Sequence, residues 1–137
     1  MIEIYTDGSG KGGWGAVILY SDGHNEEIGG RISNPTNNRA EMMAIIKSLE
    51  YLRNPTEKIR IYSDSAYVVN CFQQKWYKKW EHNGWKTSTG SDVKNRDLWI
   101  ILIDLIAHYK CEIVKVAGHS NITYNIRADA IATEYNP

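Results

Sequence analysis

The hydrophobic pattern of this chain changes period after a third strand ending at Ser33, and that change limits the fold more than any other feature. Before it, short strand-like segments follow one another between tight turns. Residues 1–7, MIEIYTD, set Ile2, Ile4 and Thr6 against Glu3 and Tyr5, the two-residue period of a strand. GSGKGG is a turn, WGAVILYS from Trp14 is a mostly apolar strand, SDGHN is a second turn, and EEIGGRIS returns as a third strand. Turns this short join antiparallel neighbours, so the first third of the chain is a meander. After it, Ala40, Met42, Met43 or Ala44, Ile45, Ile46, Leu49 and Leu52 form a broad helical face. Thr36 or Asn37 is its N-cap, and Asn54-Pro55 ends it.

From there strands come singly. KIRIYSD is a fourth strand ending at Asp64, and Ser65 onward is helix. The following tryptophan-rich stretch reads as a short helix and a Gly-containing loop. VKNRDLWIILIDLIAHYK is a strongly apolar helix with Asn95 as its cap, CEIVKVAG is a fifth strand, HSNITYN is a loop, and IRADAIATEY is a C-terminal helix. The order condenses to β-β-β-α-β-α-α-β-α. A meander followed by crossover helices predicts an α/β fold, a mixed sheet with helices packed on it. The 137 residues and 42% hydrophobic content suit one domain, residues 1–137, with one core. The longest aliphatic run, Ile100 to Ile103, is far too short for a membrane span, and no basic-then-apolar leader is seen. Two isolated cysteines, Cys71 and Cys111, point to a reducing, cytoplasmic setting.

Two strands end on the same pattern, IYTD at Asp7 and IYSD at Asp64. Sites in open α/β sheets form at the carboxyl ends of strands, so neighbouring first and fourth strands would put both carboxylates at one edge. Glu41 lies in the first turn of the intervening helix, and Asp129 lies in the last helix between Ala128 and Ala130. Any one of these could be a cap or a solvated residue. Together they form a cluster that needs a cation or retained protons. Oxygen donors without His or Cys at ligand spacing suit Mg²⁺ or Mn²⁺, the ions of two-metal phosphodiester hydrolysis.

A second feature complements the first. Residues 75–87, KWYKKWEHNGWKT, hold three of the five tryptophans interleaved with Lys75, Lys78, Lys79 and Lys86, although the chain's 16 basic and 16 acidic residues cancel. Trp76 and Trp80 are an i, i+4 pair, which favours some burial.

These motifs resemble type 1 ribonuclease H, bacterial type with a basic protrusion. TDGS (Thr6 to Ser9), TNNRAE (Thr36 to Glu41), SDSAYV (Ser63 to Val68) and GHS…N…AD (Gly118 to Asp129) occur in family order, and GWKT and VKNRDLW resemble the protrusion and the helix after it. The resemblance implies a ribonuclease H-like fold with a five-stranded mixed sheet. Its three-strand antiparallel meander is joined by two parallel strands, with helices on both faces. It implies that Asp7, Glu41, Asp64 and Asp129 hold two Mg²⁺ ions, with Mn²⁺ able to substitute, and that His119 shuttles a proton or aids product release. The implied reaction is endonucleolytic hydrolysis of the RNA strand of an RNA/DNA hybrid, giving 5′-phosphate and 3′-hydroxyl ends.

Expected substrate contacts are Gly8 and Ser9, with Thr36, Asn37 and Asn38 at a helix start, and Asn125 in the last loop. Lys78, Lys79, Trp80, Trp85 and Lys86 of the protrusion (about 75–92) add phosphate attraction and a tryptophan against deoxyribose. A monomer without a separate hybrid-binding domain is expected, and no membrane partner. Three positions depart from the family pattern. Ile126 follows Asn125 where a glutamate is common, Ala66 replaces a polar residue, and the turn DGSGKGGWG is short and lacks Asn-Pro. A resolvase or transposase core shares the carboxylates but not the protrusion together with TNNRAE. A silent hybrid-binding module would show a degraded tetrad, and here the tetrad is complete.

Overall fold

A computed structural model describes residues 1–53, 55–116 and 123–137. The meander is formed by β1 (Ile2–Gly8), β2 (Gly13–Leu19) and β3 (Asn25–Arg31). Helix α1 (Asn37–Leu52) leads to β4 (Ile59–Ser63), then α2 (Ala66–Gln73), α3 (Trp76–His82) and α4 (Arg96–Tyr109), and finally β5 (Glu112–Lys115) and α5 (Thr123–Glu134). The sheet order is β3-β2-β1-β4-β5, with β1 parallel to β4 and β4 parallel to β5. The expected mixed five-stranded sheet is therefore present.

The three helices read segment by segment between β4 and β5 are present, one more than the condensed order shows, and Lys75, in a left-handed conformation (φ 57°), breaks α2 from α3. Helix α5 begins at Thr123, three residues before the expected Ile126, so Asn125 is a buried helical residue and not a loop residue.

The even-numbered side chains of β1 face the main core. Ile2 and Ile4 join Ala16, Ile18, Ile59 and Ile61 under the apolar faces of α1, α2 and α4, including Met42, Ile45, Leu49, Val68, Trp99 and Leu102. Each such large side chain contributes on the order of 1.5–3 kcal/mol by leaving water. On the opposite face Val17 packs with Ala128 and Ile131 of α5. Helices therefore cover both faces, and the edge where β1 and β4 end lies between α1 and α5. Among the described residues no helix is long and apolar enough to cross a membrane.

Candidate metal-binding active site

Each carboxylate arrives by a separate local cause. Parallel pairing of β1 and β4 sets Tyr5 opposite Tyr62 and Ile4 opposite Ile61, so both strands reach their aspartates at the same edge. Thr36 caps α1, its Oγ1 accepting from the Arg39 N–H at 3.1 Å, and the helix then presents Glu41 in its second turn, one turn later than expected. Arg39 points the other way and holds Asp97 of α4 at 2.9 and 2.7 Å, tying the start of α1 to the start of α4. Asn95 supplies no side-chain cap to α4. Its side chain instead accepts from Arg39 and donates to the Tyr67 hydroxyl.

Glycine spaces the elements. A Cβ on Gly8 would lie 2.4 Å from the backbone of Ala40 and Glu41, so α1 packs directly on the end of β1. On the other face, a Cβ on Gly15 would lie 2.6 Å from the Ala128 carbonyl, so α5 rests on β2 and brings Asp129 toward Asp7. The Gly8 glycine is thus already occupied by the protein's own helix, which gives it a packing role distinct from the substrate approach expected from sequence.

One carboxylate oxygen each from Asp7, Glu41 and Asp64 lies within 4.8 Å of the others. Asp7 and Glu41 are buried, at 8% and 7% exposure, and Asp64 is half-buried. Burial, followed by the adjacent Asp7 and Asp64, pushes the Glu41 carboxyl up to about 10. Burial, followed by a hydrogen bond to Asp129, pushes Asp7 up to about 7, against the lowering effect of the Glu41 hydrogen bond. The Gly8 N–H donates to both groups and favours their charged forms. Asp129 is exposed and reaches the cluster through Asp7.

Glu41 Oε2 is buried without a hydrogen-bond partner among the described residues. An orphaned carboxylate oxygen beside two more carboxylates is the environment a small divalent cation would satisfy. The donor set is all oxygen, which fits a hard cation. His119 lies outside the described residues.

The turn after β1 sits against the start of α1. Ser9 and Gly12 close it through a backbone hydrogen bond of 2.9 Å, the Ser9 Oγ accepts from Lys11 N–H, and a Cβ on Gly10 would lie 2.8 Å from Asn37 Oδ1. Gly8, Ser9, Thr36, Asn37 and Asn38 therefore gather beside the carboxylates. Ala66 opens α2 in an exposed position, and Ile126 is 54% exposed on α5.

The protrusion is a separate surface. Lys78 and Lys79 are exposed on α3. Trp80 is half-buried, with ring centroids 6.3 Å from Trp76, 5.8 Å from Trp85 and 5.6 Å from Trp99. Trp80 therefore anchors the arm to α4, and only part of its ring is open to a ligand. Trp85 carries the Arg96 guanidinium 5.6 Å above its ring. Lys86 is ion-paired with Asp92 across the base of the loop, which partly satisfies a charge expected to face phosphate. Sequence inspection missed the Arg39–Asp97 clamp and the helix contact at Gly8, because each joins residues distant in sequence, and missed the Lys86–Asp92 pair because it depends on the loop between them folding back.

Comparison with known proteins follows this geometry. The RNase H family profile matches residues 1–136. Ribonuclease H of Acetivibrio thermocellus is 46% identical over 138 aligned positions, covering 97% of this chain and 92% of the relative. Among solved structures, LC9-RNase H1, described as a type 1 RNase H with the type 2 active-site motif, superposes with a TM-score of 0.81 at 22% identity, covering 98% of this chain and 71% of that one. LC11-RNase H1, solved with an RNA/DNA hybrid, gives a TM-score of 0.69 at 26% identity, covering 99% of this chain and 96% of that one.

Proposed function

The chain belongs to the RNase H family, and we propose that it is an endoribonuclease cutting the RNA strand of RNA/DNA hybrids to 5′-phosphate and 3′-hydroxyl ends. The observation that carries the proposal is the convergence of Asp7, Glu41 and Asp64 within 4.8 Å, with Asp129 bonded to the edge of the cluster. These four side chains are the proposed ligands of two Mg²⁺ ions, which Mn²⁺ can replace. When bound, such ions lower the pKa of an attacking water and stabilise charge on the departing oxygen.

The protein's own groups do the rest. In the free protein Glu41 holds its proton at neutral pH and Asp7 is raised to about 7, so protons must leave for the ligand set to be fully charged. Rigid placement by α1, β1 and β4 keeps the carboxylates together despite their repulsion. His119, which precedes α5 in sequence, is assigned to proton shuttling or product release.

Gly8, Ser9, Thr36, Asn37 and Asn38 line the carboxylate edge, where backbone donors at the start of α1 favour a phosphate and short amides reach base edges. Asn125, buried in α5, is assigned to support the substrate side of that helix. Lys78, Lys79 and Lys86, with Trp80 and Trp85, form the arm that attracts the duplex toward an acidic centre that would otherwise repel it. A hybrid offers 2′-hydroxyls on one strand only, so a site that grips them and seats a deoxy strand beside it rejects both pure duplexes. One catalytic domain acting as a monomer is proposed. Its two free cysteines suit the cytoplasm.

The test uses labelled RNA/DNA, RNA/RNA and DNA/DNA duplexes with Mg²⁺ or EDTA, for the parent and Asp64→Asn. Cleavage of the hybrid alone is expected, abolished by EDTA and by Asp64→Asn, while the variant still binds hybrid. Equal cleavage of RNA/RNA, or an active Asp64→Asn, would remove the proposal.

A further inference from the structure

The repeated IYTD and IYSD segments do more than end two strands at one edge. Their register places the two patterns side by side, with Ile4 opposite Ile61 and Tyr5 opposite Tyr62. Ile4 and Ile61 enter the core with no exposure. Thr6 is buried and its Oγ1 donates to the Tyr62 carbonyl at 3.3 Å. Tyr5 and Tyr62 project to the opposite face and stack, with centroids 4.5 Å apart and planes 22° apart. A strand's two-residue period puts Asp7 on the same face as Tyr5, and Asp64 follows the end of β4 two residues after Tyr62.

A third ring extends the stack to the next ligand-bearing element. Tyr124, in the first turn of α5, lies 5.6 Å from Tyr5 at 56°. Asp129 is carried by the same helix. Tyr62 is anchored in turn, its hydroxyl donating to Glu3 Oε2. The rings thus run Tyr62, Tyr5, Tyr124 across β4, β1 and α5, the three elements that supply Asp64, Asp7 and Asp129.

We propose that Tyr62, Tyr5 and Tyr124 form an aromatic spine that positions Asp64, Asp7 and Asp129 for metal binding, so that these tyrosines are positioning residues of the site. The physical reason is repulsion. Metal loading requires these carboxylates to sit close together as anions, and stacked rings on the same elements hold β1, β4 and α5 at that spacing. Ring removal leaves the strand ends and helix without that restraint, and metal binding must then order them. The inference rests on the metal-binding reading above.

The experiment is a calorimetric Mn²⁺ titration of the full chain, without substrate, for the parent and for Tyr5→Leu, Tyr62→Leu and Tyr124→Leu. Phe replacements at Tyr5 and Tyr124 serve as conservative rescues, since Tyr62 also uses its hydroxyl. Ile4→Val, adjacent on β1 but facing the core, controls for general destabilisation. Each Leu variant is expected to weaken Mn²⁺ about threefold to tenfold, the amount an aromatic pair contributes. The Phe variants and Ile4→Val are expected to stay within about twofold of the parent. In hybrid cleavage, the Leu variants should need more Mg²⁺ for half-maximal rate, with an unchanged KM for hybrid. Parent-like Mn²⁺ affinity in the Leu variants, or an equal loss in Ile4→Val, overturns the spine. Tyr124 is on the surface of α5, so Tyr124→Leu keeps the test decisive if a Leu variant at Tyr5 or Tyr62 does not fold. A parent that binds no Mn²⁺ overturns the metal reading itself, and the parent titration separates that outcome from failure of the spine alone.

Discussion

Adding one methyl group at Gly8 should disable the site while leaving every carboxylate present. An alanine Cβ there would lie 2.4 Å from the Ala40 carbonyl carbon and the Glu41 nitrogen, and 2.8 Å from the Ala40 Cβ. Comfortable carbon contacts are about 3.5–4.0 Å, so the start of α1 must recede by roughly 1 Å. These are backbone atoms, and no rotamer change relieves them. Overpacking of this kind costs about 1–3 kcal/mol of stability. The functional cost is larger, since Glu41 is one of the displaced residues and a displacement near 1 Å can lower rate about a hundredfold. Gly8→Ala is therefore expected to melt at lower temperature and to lose about 10- to 100-fold in kcat, with KM for hybrid little changed. Gly23→Ala is the comparison. Gly23 has φ 94° in the distant β2–β3 turn and open space around it, so alanine there strains the backbone by about 1–2 kcal/mol without touching the site. Steady-state cleavage at saturating Mg²⁺ and thermal melts of both variants decide the matter. Parent-like kcat in Gly8→Ala, or an equal loss in Gly23→Ala, would refute the packing argument. A rise in KM alone would return Gly8 to the role of an RNA-approach residue.

Stability without metal should fall as pH rises. Asp7 and Glu41 have folded-state values raised above those of free carboxyls, so the folded protein holds protons that the unfolded chain releases. Their contribution is fully present below about pH 4 and is lost as pH rises through about 7 for Asp7, and on toward 10 for Glu41. Melting of EDTA-treated protein from pH 5 to 8 checks the sign, and a rising melting temperature attributable to these groups contradicts it. In the arm, Lys78→Ala with Lys79→Ala should raise KM and flatten its salt dependence by about two counterions, with kcat little changed. Lys86→Ala should do less, because Lys86 already faces Asp92. A collapse of kcat with constant KM would make the arm a purely structural element.

The sheet and the carboxylates were readable from sequence because their signals are local. A period-two run marks β1, a continuous apolar run between turns marks β2, and IYTD and IYSD mark two strand ends that parallel pairing brings together. The start of α5 was not readable, since Thr123, Tyr124 and Asn125 are ordinary loop residues by composition and become helical by packing on the sheet. The break between α2 and α3 depends on a left-handed lysine, a conformation with no preference in Lys. Trp80 illustrates a different limit. Its spacing from Trp76 showed that a face existed, but Trp99, which covers part of that face, lies on another helix. The same holds for Gly8, whose identity suggests freedom and whose position shows confinement.

The close seating of α5 on Gly15 has a consequence for the chain during its synthesis. Asp7 lies on the first strand and Asp129 on α5, and that helix covers the second face of β1 and β2. A nascent chain ending before residue 129 lacks one of the four proposed metal ligands and the α5 cover on one face of its sheet. Assembly of the cutting centre is therefore coupled to completion of the fold, and no shorter intermediate displays a finished nuclease to nearby nucleic acid.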